Sequence, residues 1–309
     1  MLTMSHNRRE FLRRTGAATL LSALPAAALA FPAEEAKPAQ KMLVGSQLYG
    51  WGQYYQREKK DLNANLDEVL SALRDCGYDY AEGSVDTGAP ENNLKFAERL
   101  KAHGLKPVCI YSGARLHEEG TAAQNVERLV KAARSCKEAG FIVINCNADP
   151  IGREKTDAEL KVQAAALQDL GKGLKEMGLK LGIHHHTPEM VNKAREFHYM
   201  FRHTSPELVG FCFDVHWVYR GGLDPLEALK EYHDRVVSWH LRQSRSGVWW
   251  EDLDTGDVDY AAIARYARAH NVPPVYSVEM ALEGGTKITR SAIENHRRSL
   301  EFVRTVFGG

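Results

Sequence analysis

The sequence has no surplus of charge of either sign. Its 309 residues include 40 lysines and arginines and 40 aspartates and glutamates, which give a formal net charge of zero. Proteins that bind nucleic acid or an anionic membrane use an excess of basic side chains to neutralise phosphate groups. The composition therefore disfavours nucleic acid as a partner.

Cysteines are few and lack the spacing of a structural zinc site. The five cysteines are scattered along the chain, and no two of them have the C-x-x-C spacing. Most lie in apolar stretches, where cysteine is commonly a small buried hydrophobe. We expect free thiols in the core, and a single disulfide is the alternative if the protein is exported.

The apolar stretch near the N-terminus, residues 15–29, is shorter than the about 20 residues that span a bilayer. It follows Asn7-Arg8-Arg9-Glu10-Phe11-Leu12 and runs into Ala28-Leu29-Ala30, a pattern typical of a twin-arginine export signal cleaved after Ala30. The sequence predicts a signal peptide over residues 1–30, a linker over residues 31–41, periplasmic export by the twin-arginine machinery and no stable membrane span after cleavage. A retained membrane anchor is the alternative.

From residue 42 onward, short apolar runs alternate with helical patterns. Eight such cycles predict a (β/α)₈ barrel that forms a single domain over residues 42–309, since such barrels take about 250 residues. The predicted strands are Met42–Leu48, Tyr78–Glu82, Lys106–Tyr111, Phe141–Asn147, Lys180–His186, Gly210–Asp214, Arg235–Leu241 and Pro274–Met280. An open doubly wound sheet is the alternative, but no glycine-rich phosphate loop follows the first strand.

Turn and capping residues lie at the ends of the predicted helices. Thr156 and Glu159 have the spacing of a capping box, and Asp224 precedes Pro225 as an N-cap. A glycine follows each of four helical runs, where a left-handed C-terminal residue is favoured. These glycines are Gly77, Gly104, Gly140 and Gly178.

Four consecutive strands end on side chains that bind divalent metals. His184, Asp214, His240 and Glu279 end strands five to eight, and a barrel carries its active site at this end of the strands. Two imidazoles and two carboxylates predict a site for one divalent ion, and Mn²⁺ is the ion we expect most. Zn²⁺, Co²⁺ and Fe²⁺ also suit this ligand set, whereas Mg²⁺ suits it less. Strand alternation puts His186 on the same face as His184. Unrelated polar residues at strand ends are the alternative.

Several strings resemble the xylose isomerase-like barrel superfamily of sugar isomerases and epimerases. They are Phe213-Asp214, Trp239-His240-Leu241, Val278-Glu279, Gly221-Gly222-Leu223-Asp224-Pro225 and Gly256-Asp257-Val258-Asp259, and the resemblance covers roughly residues 44–307. It implies one metal held by Glu, Asp, His and Glu from strands five to eight. This chain departs from that pattern, because His184 stands where the family usually has a glutamate.

The resemblance implies a metal-dependent isomerase or epimerase that acts on a sugar or keto-sugar through an enediolate. Glu279 and His186 are the candidate bases, with Glu189 as a third. Because His184 replaces a carboxylate, elimination from a 3-keto-glycoside or an inosose is an alternative outcome. A non-catalytic sugar-binding protein is a second alternative. A DNA-repair endonuclease of the same superfamily is disfavoured, because such an enzyme is expected to have more metal ligands and a basic face, and neither is evident in this sequence.

Other polar and aromatic residues near the strand ends are candidate contacts for a carbohydrate substrate. Indole faces stack on sugar rings, and polar groups bond hydroxyls, although ordinary packing explains such residues as well. The candidates are Trp51, Glu82, Asn147, Trp217, Arg242, Gln243, Trp249 and Lys287. The predicted export disfavours a phosphorylated substrate.

Overall fold

Eight parallel strands form a nearly closed barrel in the computed structural model, which describes residues 41–308. The strands are β1 (Leu43–Gln47), β2 (Tyr80–Glu82), β3 (Cys109–Ala114), β4 (Val143–Ala148), β5 (Lys180–His184), β6 (Gly210–Asp214), β7 (Val236–Leu241) and β10 (Val275–Val278). They lie in the order β2-β1-β10-β7-β6-β5-β4-β3, and single parallel bridges join β2 to the segment of β3. The predicted (β/α)₈ barrel is confirmed.

Seven of the eight strands differ from the predicted bounds by one to three residues at one or both ends, and for two of them a local reason is visible in the sequence. β3 begins at Cys109 rather than Lys106, because Pro107 has no N–H group to continue the ladder and Lys106 pairs with β2 only through one bridge. β5 ends at His184, because His186 already caps the next helix.

Helices surround the barrel and connect successive strands. They are α1 (Leu48–Arg57), α2 (Leu66–Cys76), α3 (Glu91–Ala102), α4 (Glu119–Ala139), α5 (Asp157–Glu176), α6 (Thr187–Arg202), α7 (Val215–Arg220), α8 (Pro225–Tyr232), α9 (Tyr260–Ala269) and α10 (Ala292–Gly308). A short hairpin, β8 (Ser244–Arg245) and β9 (Val248–Trp249), follows β7. The sequence did not predict this hairpin or α7.

The predicted helix ends are present in the structure. Thr156 and Glu159 form a capping box on α5, and the Asp224 side chain accepts hydrogen bonds at the start of α8. The four helix-terminal glycines have φ values of 99°, 73°, 102° and 71° in sequence order, the left-handed conformation that glycine adopts without strain. These turns set the direction in which each strand enters the barrel.

The main apolar core lies between the strands and the helices, and a smaller cluster around Tyr80 and Cys109 fills the barrel interior. Gly45 makes room there, because a Cβ atom at this position would lie 2.3 Å from the Tyr80 ring. All five cysteines belong to the described residues and are unpaired there.

The predicted signal peptide and all but the last residue of the predicted linker lie outside residues 41–308. Within that range, no helix is both long enough and apolar enough to cross a bilayer.

Candidate metal centre and active site

Four predicted metal ligands come together at the carboxyl ends of the strands. His184 ends β5, Asp214 ends β6, His240 lies one residue before the end of β7, and Glu279 directly follows β10. All four side chains are buried, and one potential ligand atom from each lies within 4.8 Å of the others. The parallel barrel brings them together because equivalent ends of neighbouring strands meet at one rim.

The two imidazoles are oriented by hydrogen bonds on the side away from the cluster. His240 has Nε2 3.1 Å from a Glu82 oxygen and Nδ1 2.9 Å from Glu279 Oε2. His184 has Nδ1 3.2 Å from Asn147 Oδ1 and Nε2 3.3 Å from Asp214 Oδ2. An outer polar partner of this kind commonly fixes the tautomer of a metal-binding histidine.

The Asn147 amide decides which nitrogen of His184 carries the proton. Its Nδ2 donates to the Ala148 carbonyl, so its Oδ1 faces His184 and accepts a hydrogen bond from Nδ1. In the neutral imidazole, Nε2 then directs a lone pair at the Asp214 carboxylate, which has no proton to share. A cation between the two atoms would turn this repulsion into coordination.

The charge of the cluster also fits a divalent ion. Glu82, Asp214 and Glu279 are buried carboxylates, and Arg242 is a buried guanidinium with Nη2 3.0 Å from Asp214 Oδ2 and 3.2 Å from Glu279 Oε1. Metal ligation requires unprotonated imidazoles, and in that state three negative charges face one positive charge, an excess of two. Buried charges are costly unless they are compensated, and a doubly charged cation balances this excess.

The carboxylates remain ionised despite their burial. Burial alone would raise the pKa of Asp214, but the positive charge of Arg242, with Nη2 3.0 Å from Oδ2, holds it far below its ordinary value. For Glu279, the same guanidinium outweighs burial and lowers the pKa to about 2. Both groups are therefore available as metal ligands throughout the neutral range.

Glu82 and His240 form a buried pair that favours charge on both partners. Burial opposes ionisation of Glu82, but His240 lowers the pKa of this carboxyl below its ordinary value. Burial likewise opposes protonation of His240, yet Cys212 and Glu82 raise its pKa well above the usual range. Asn145 donates a hydrogen bond to the Glu82 carboxylate at 2.8 Å, and Ser277 donates another. These two bonds fix the position of the carboxylate.

The two candidate bases beyond Glu279 differ in environment. Burial, and then the nearby His184, lower the pKa of His186 to about 4, so this imidazole is neutral and able to accept a proton. Burial raises the pKa of Glu189 to about 7. Glu189 accepts a hydrogen bond from the His186 backbone N–H at 2.8 Å and lies behind the cavity wall rather than in it.

A cavity of about 1330 Å³ opens above the cluster. Of the predicted substrate contacts, Glu82, Trp217, Arg242 and Trp249 line it, together with His184, His186, His240 and Glu279. The two indoles contact the Arg242 guanidinium, whose carbon lies 5.1 Å from the Trp217 ring centre and 4.3 Å from that of Trp249. Buried Asn147 touches the cavity only indirectly, through His184.

Three predicted contacts lie away from the cavity. Trp51 is buried against His296, with ring centres 4.3 Å apart, and its Nε1 donates to Ser46. Gln243 is buried and ties the loop after β7 to the Val258 backbone. Lys287 is exposed and does not line the cavity.

Sequence reasoning missed two features of the site. Tyr111 lines the cavity from β3, with its ring 5.4 Å from that of His184, and no motif marked it. The bridging position of Arg242 between Asp214 and Glu279 was also missed, although its place two residues after His240 on the same strand face was a usable signal.

Comparison with known proteins agrees with the barrel fold. The sequence profile of the xylose isomerase-like TIM barrel family matches residues 70–306. The chain belongs to this family. Inosose dehydratase 2 of Bacillus cereus is 36% identical over 196 residues, which are 59% of this chain and 65% of the relative. The chain therefore spans somewhat less than two thirds of the length of that curated relative.

Solved structures share the fold at low sequence identity. A sugar phosphate isomerase/epimerase from Parabacteroides distasonis has a TM-score of 0.69 and 20% identity, covering 88% of this chain and 97% of that one. A 3-keto-D-glucoside 4-epimerase from E. coli has a TM-score of 0.65 and 17% identity over 86% and 100% of the two chains. The IOLI protein, solved with a zinc atom, has a TM-score of 0.67 and 17% identity over 87% and 100%. At these identities the likeness establishes the fold alone.

Proposed function

We propose that this protein is a metal-dependent enzyme that removes the proton beside the carbonyl of a keto-sugar. The observation that carries the proposal is the convergence of His184, Asp214, His240 and Glu279, with the outer nitrogen of each imidazole already held by a polar partner. A bound divalent ion, Mn²⁺ first and otherwise Zn²⁺, Co²⁺ or Fe²⁺, would polarise the carbonyl and acidify the neighbouring C–H bond.

The chain itself supplies the groups that position the substrate and move the proton. Arg242 directs its guanidinium at the same rim and, together with Trp217 and Trp249, forms one wall of the cavity. Neutral His186 faces the cavity and accepts the proton, with ionised Glu279 as the second candidate. Glu189 reaches the cavity only if it releases the His186 N–H.

Return of the proton to a different atom or face completes an isomerisation or epimerisation. This is the outcome that the family resemblance implies first. In this chain, however, His184 stands where a second opposed carboxylate is usual, so His186 or Glu189 would have to return the proton.

Elimination is the second candidate outcome, and the 36% identity to an inosose dehydratase favours it. In this outcome the C–H electron pair forms an enediolate, which re-forms the carbonyl while the β-substituent leaves with its bonding pair and takes up a proton. Glu189, with a pKa of about 7, is suited to supply that proton if it turns into the cavity. The two outcomes share the first step and the same metal site.

Solvent deuterium exchange tests the shared first step. NMR of keto-sugars in D₂O is expected to show label at the carbon beside the carbonyl, and the product distinguishes epimerisation from loss of a β-substituent. Asp214→Ala and His240→Ala are expected to lose bound metal and exchange together, whereas exposed His203→Gln retains both. A protein that binds sugars and exchanges no deuterium would be a carbohydrate-binding protein instead, and full activity in Asp214→Ala would refute the site.

We also propose that the protein acts outside the cytoplasm. The support is the sequence of residues 7–30, with its arginine pair, short apolar stretch and Ala-x-Ala end. An exported enzyme meets few phosphorylated sugars, so a neutral carbohydrate is the proposed substrate.

A further inference from the structure

The cavity above the metal ligands extends well beyond them. Its volume of about 1330 Å³ exceeds the roughly 300–1000 Å³ that pockets for drug-sized ligands usually have, and one sugar ring is smaller than such ligands. A keto-sugar ring placed at the metal end therefore leaves a large part of the cavity unfilled.

The unfilled part is an outer arm between α1, the 58–65 loop and α3. We define the outer arm by the lining residues Tyr49, Gln56, Leu62, Asn63, Ser84 and Phe96. It is continuous with the metal end, because β2 ends at Glu82 and leads through Gly83 to Ser84. Phe96 packs directly on this turn, since a Cβ atom on Gly83 would lie 2.8 Å from its ring.

The outer arm combines apolar faces with uncommitted polar groups. Tyr49 is 56% exposed, and the side chains of Leu62 and Phe96 are half-buried. Among residues 41–308, no protein atom forms a hydrogen bond with the side chains of Gln56, Asn63 or Ser84. An exposed aromatic ring beside free amide and hydroxyl groups suits a ring that bears hydroxyls or an aromatic group.

The charged residues at the edge of the outer arm are already engaged. Asp86 accepts hydrogen bonds from Asn92 and from the backbone of its own loop, and Arg99 is paired with Asp67 at 3.0 Å. Lys95 donates to Asn92 at 3.2 Å. The negative charges of Asp86 and Asp67 balance the positive charges of Lys95 and Arg99, so the arm is better suited to a neutral group than to a phosphate.

We infer that the outer arm binds the aglycone of a glycoside, so that the preferred substrate is a keto-glycoside rather than a free keto-sugar. The inference rests on the proposed function, because the keto-sugar ring of the same molecule occupies the metal end. The second group is a neutral ring, either another sugar or an aromatic aglycone, stacked on Tyr49 and packed against Leu62 and Phe96.

Kinetics with 3-keto-glucose and phenyl 3-keto-glucoside test the inference in the metal-loaded protein. The glycoside is expected to have a kcat/KM at least about ten-fold higher, mainly through a lower KM. Leu62→Trp, which fills the arm, and Tyr49→Ala, which removes the stacking face, are each expected to reduce that preference about ten-fold. Ile142→Trp, at an exposed position before β4, is the control and keeps it. Equal kcat/KM values for the two substrates, or a preference that survives both arm variants, would overturn the inference.

Binding of unreactive ligands separates failure of this inference from failure of the proposed function. Methyl glucoside and phenyl glucoside have no carbonyl to react, so the difference between their affinities in calorimetry reports the contribution of the arm without turnover. Tighter binding of phenyl glucoside that is lost in Leu62→Trp supports the arm even if neither keto-sugar exchanges deuterium. Equal binding of the two ligands counts against it whatever the turnover.

Discussion

At the scale of single residues, the two imidazoles of the candidate metal centre differ in their outer partners. His240 is backed by the Glu82 carboxylate, whereas His184 is backed by the neutral Asn147 amide. A carboxylate favours the imidazolium form, and an amide does not. At His240, a metal ion should therefore compete with a proton.

We expect metal binding to release about one proton at neutral pH, mainly from His240. Its pKa lies well above the ordinary value because of Cys212 and Glu82, whereas ligation needs the unprotonated nitrogen. Apparent metal affinity should therefore weaken as pH falls and level off only above that raised pKa. Calorimetric titration with Zn²⁺ in buffers of different ionisation enthalpy measures the protons released.

Glu82→Gln isolates the cause of this proton release. Loss of the carboxylate lowers the pKa of His240, so fewer protons should leave at neutral pH, while metal affinity at high pH should fall about 10–100-fold. Glu98→Gln, on an exposed position of α3, is the matched control. Identical proton release in Glu82→Gln and the wild type would show that His240 is not the group that titrates.

Glu189 gives a second pH-dependent prediction, on stability. Burial raises its folded-state pKa from 4.5 to about 7, so its contribution is fully present below about pH 4.5 and is lost as pH rises through 7. Gln mimics the protonated acid in shape and bonding. We expect Glu189→Gln to be more stable than the wild type by about 1–3 kcal/mol at pH 8, with no difference at pH 4.5.

Urea unfolding at the two pH values measures this difference. Exposed Glu138→Gln on α4 is the control and should change stability little at either pH. A destabilised Glu189→Gln at pH 8 would mean that its carboxylate is stabilised by a charge, such as a nearby metal, that outweighs burial.

At the scale of elements, the sequence predicted strand ends better than side-chain partners. β6 has the predicted bounds, and the rule that active sites lie at strand carboxyl ends was enough to select His184, Asp214, His240 and Glu279. The convergence of these four side chains could be predicted because barrel topology places neighbouring strand ends together whatever the details of packing.

Outer partners could not be predicted in the same way. Glu82 and His240 are 158 positions apart, and their contact depends on the height of each side chain in the closed barrel. Trp51 is a residue whose predicted role was wrong. Its position after β1 predicted a substrate contact, but α1 places its indole in the core. Which face of α1 turns towards the core depends on how the helix is rotated about its axis, and the pattern of residues in the strands does not determine that rotation.

One close contact between elements lies next to Glu279. A Cβ atom on Gly50 of α1 would lie 2.4 Å from the backbone oxygen of Met280, directly after the metal ligand. Gly50→Ala must therefore push α1 and the end of β10 apart. We expect a loss of stability of about 1–3 kcal/mol, as overpacking usually gives, together with weaker metal binding.

Gly120→Ala is the matched control for this substitution. Gly120 lies in the first turns of α4, and a Cβ atom there would meet nothing within 4 Å. Alanine favours the helix by up to about 1 kcal/mol over glycine, so this variant should be as stable as the wild type or more stable. Thermal unfolding and metal titration of both variants measure the differences in stability and in metal affinity. Equal stability and equal metal affinity in the two variants would show that α1 shifts to accommodate the methyl group without moving Glu279.

At the scale of the whole molecule, the barrel draws its candidate metal ligands from four strands spread over residues 184–279. Such a site forms only when β5 to β10 have closed on one another, so we expect metal binding to be coupled to folding. A protein with this requirement benefits from export after folding rather than before it, which is how the twin-arginine route differs from export of unfolded chains.

The predicted export route can be tested in the native host. Arg8→Lys combined with Arg9→Lys should retain the protein in the cytoplasm. Arg13→Lys combined with Arg14→Lys leaves the Arg8-Arg9 pair of the export signal intact, so this variant should still be exported. Fractionation followed by mass spectrometry measures this, and the mature protein is expected to begin at Phe31. If metal is acquired before export, the retained variant should carry the same metal as the periplasmic wild type. Periplasmic protein at wild-type levels in the Arg8 and Arg9 variant would rule out the twin-arginine route.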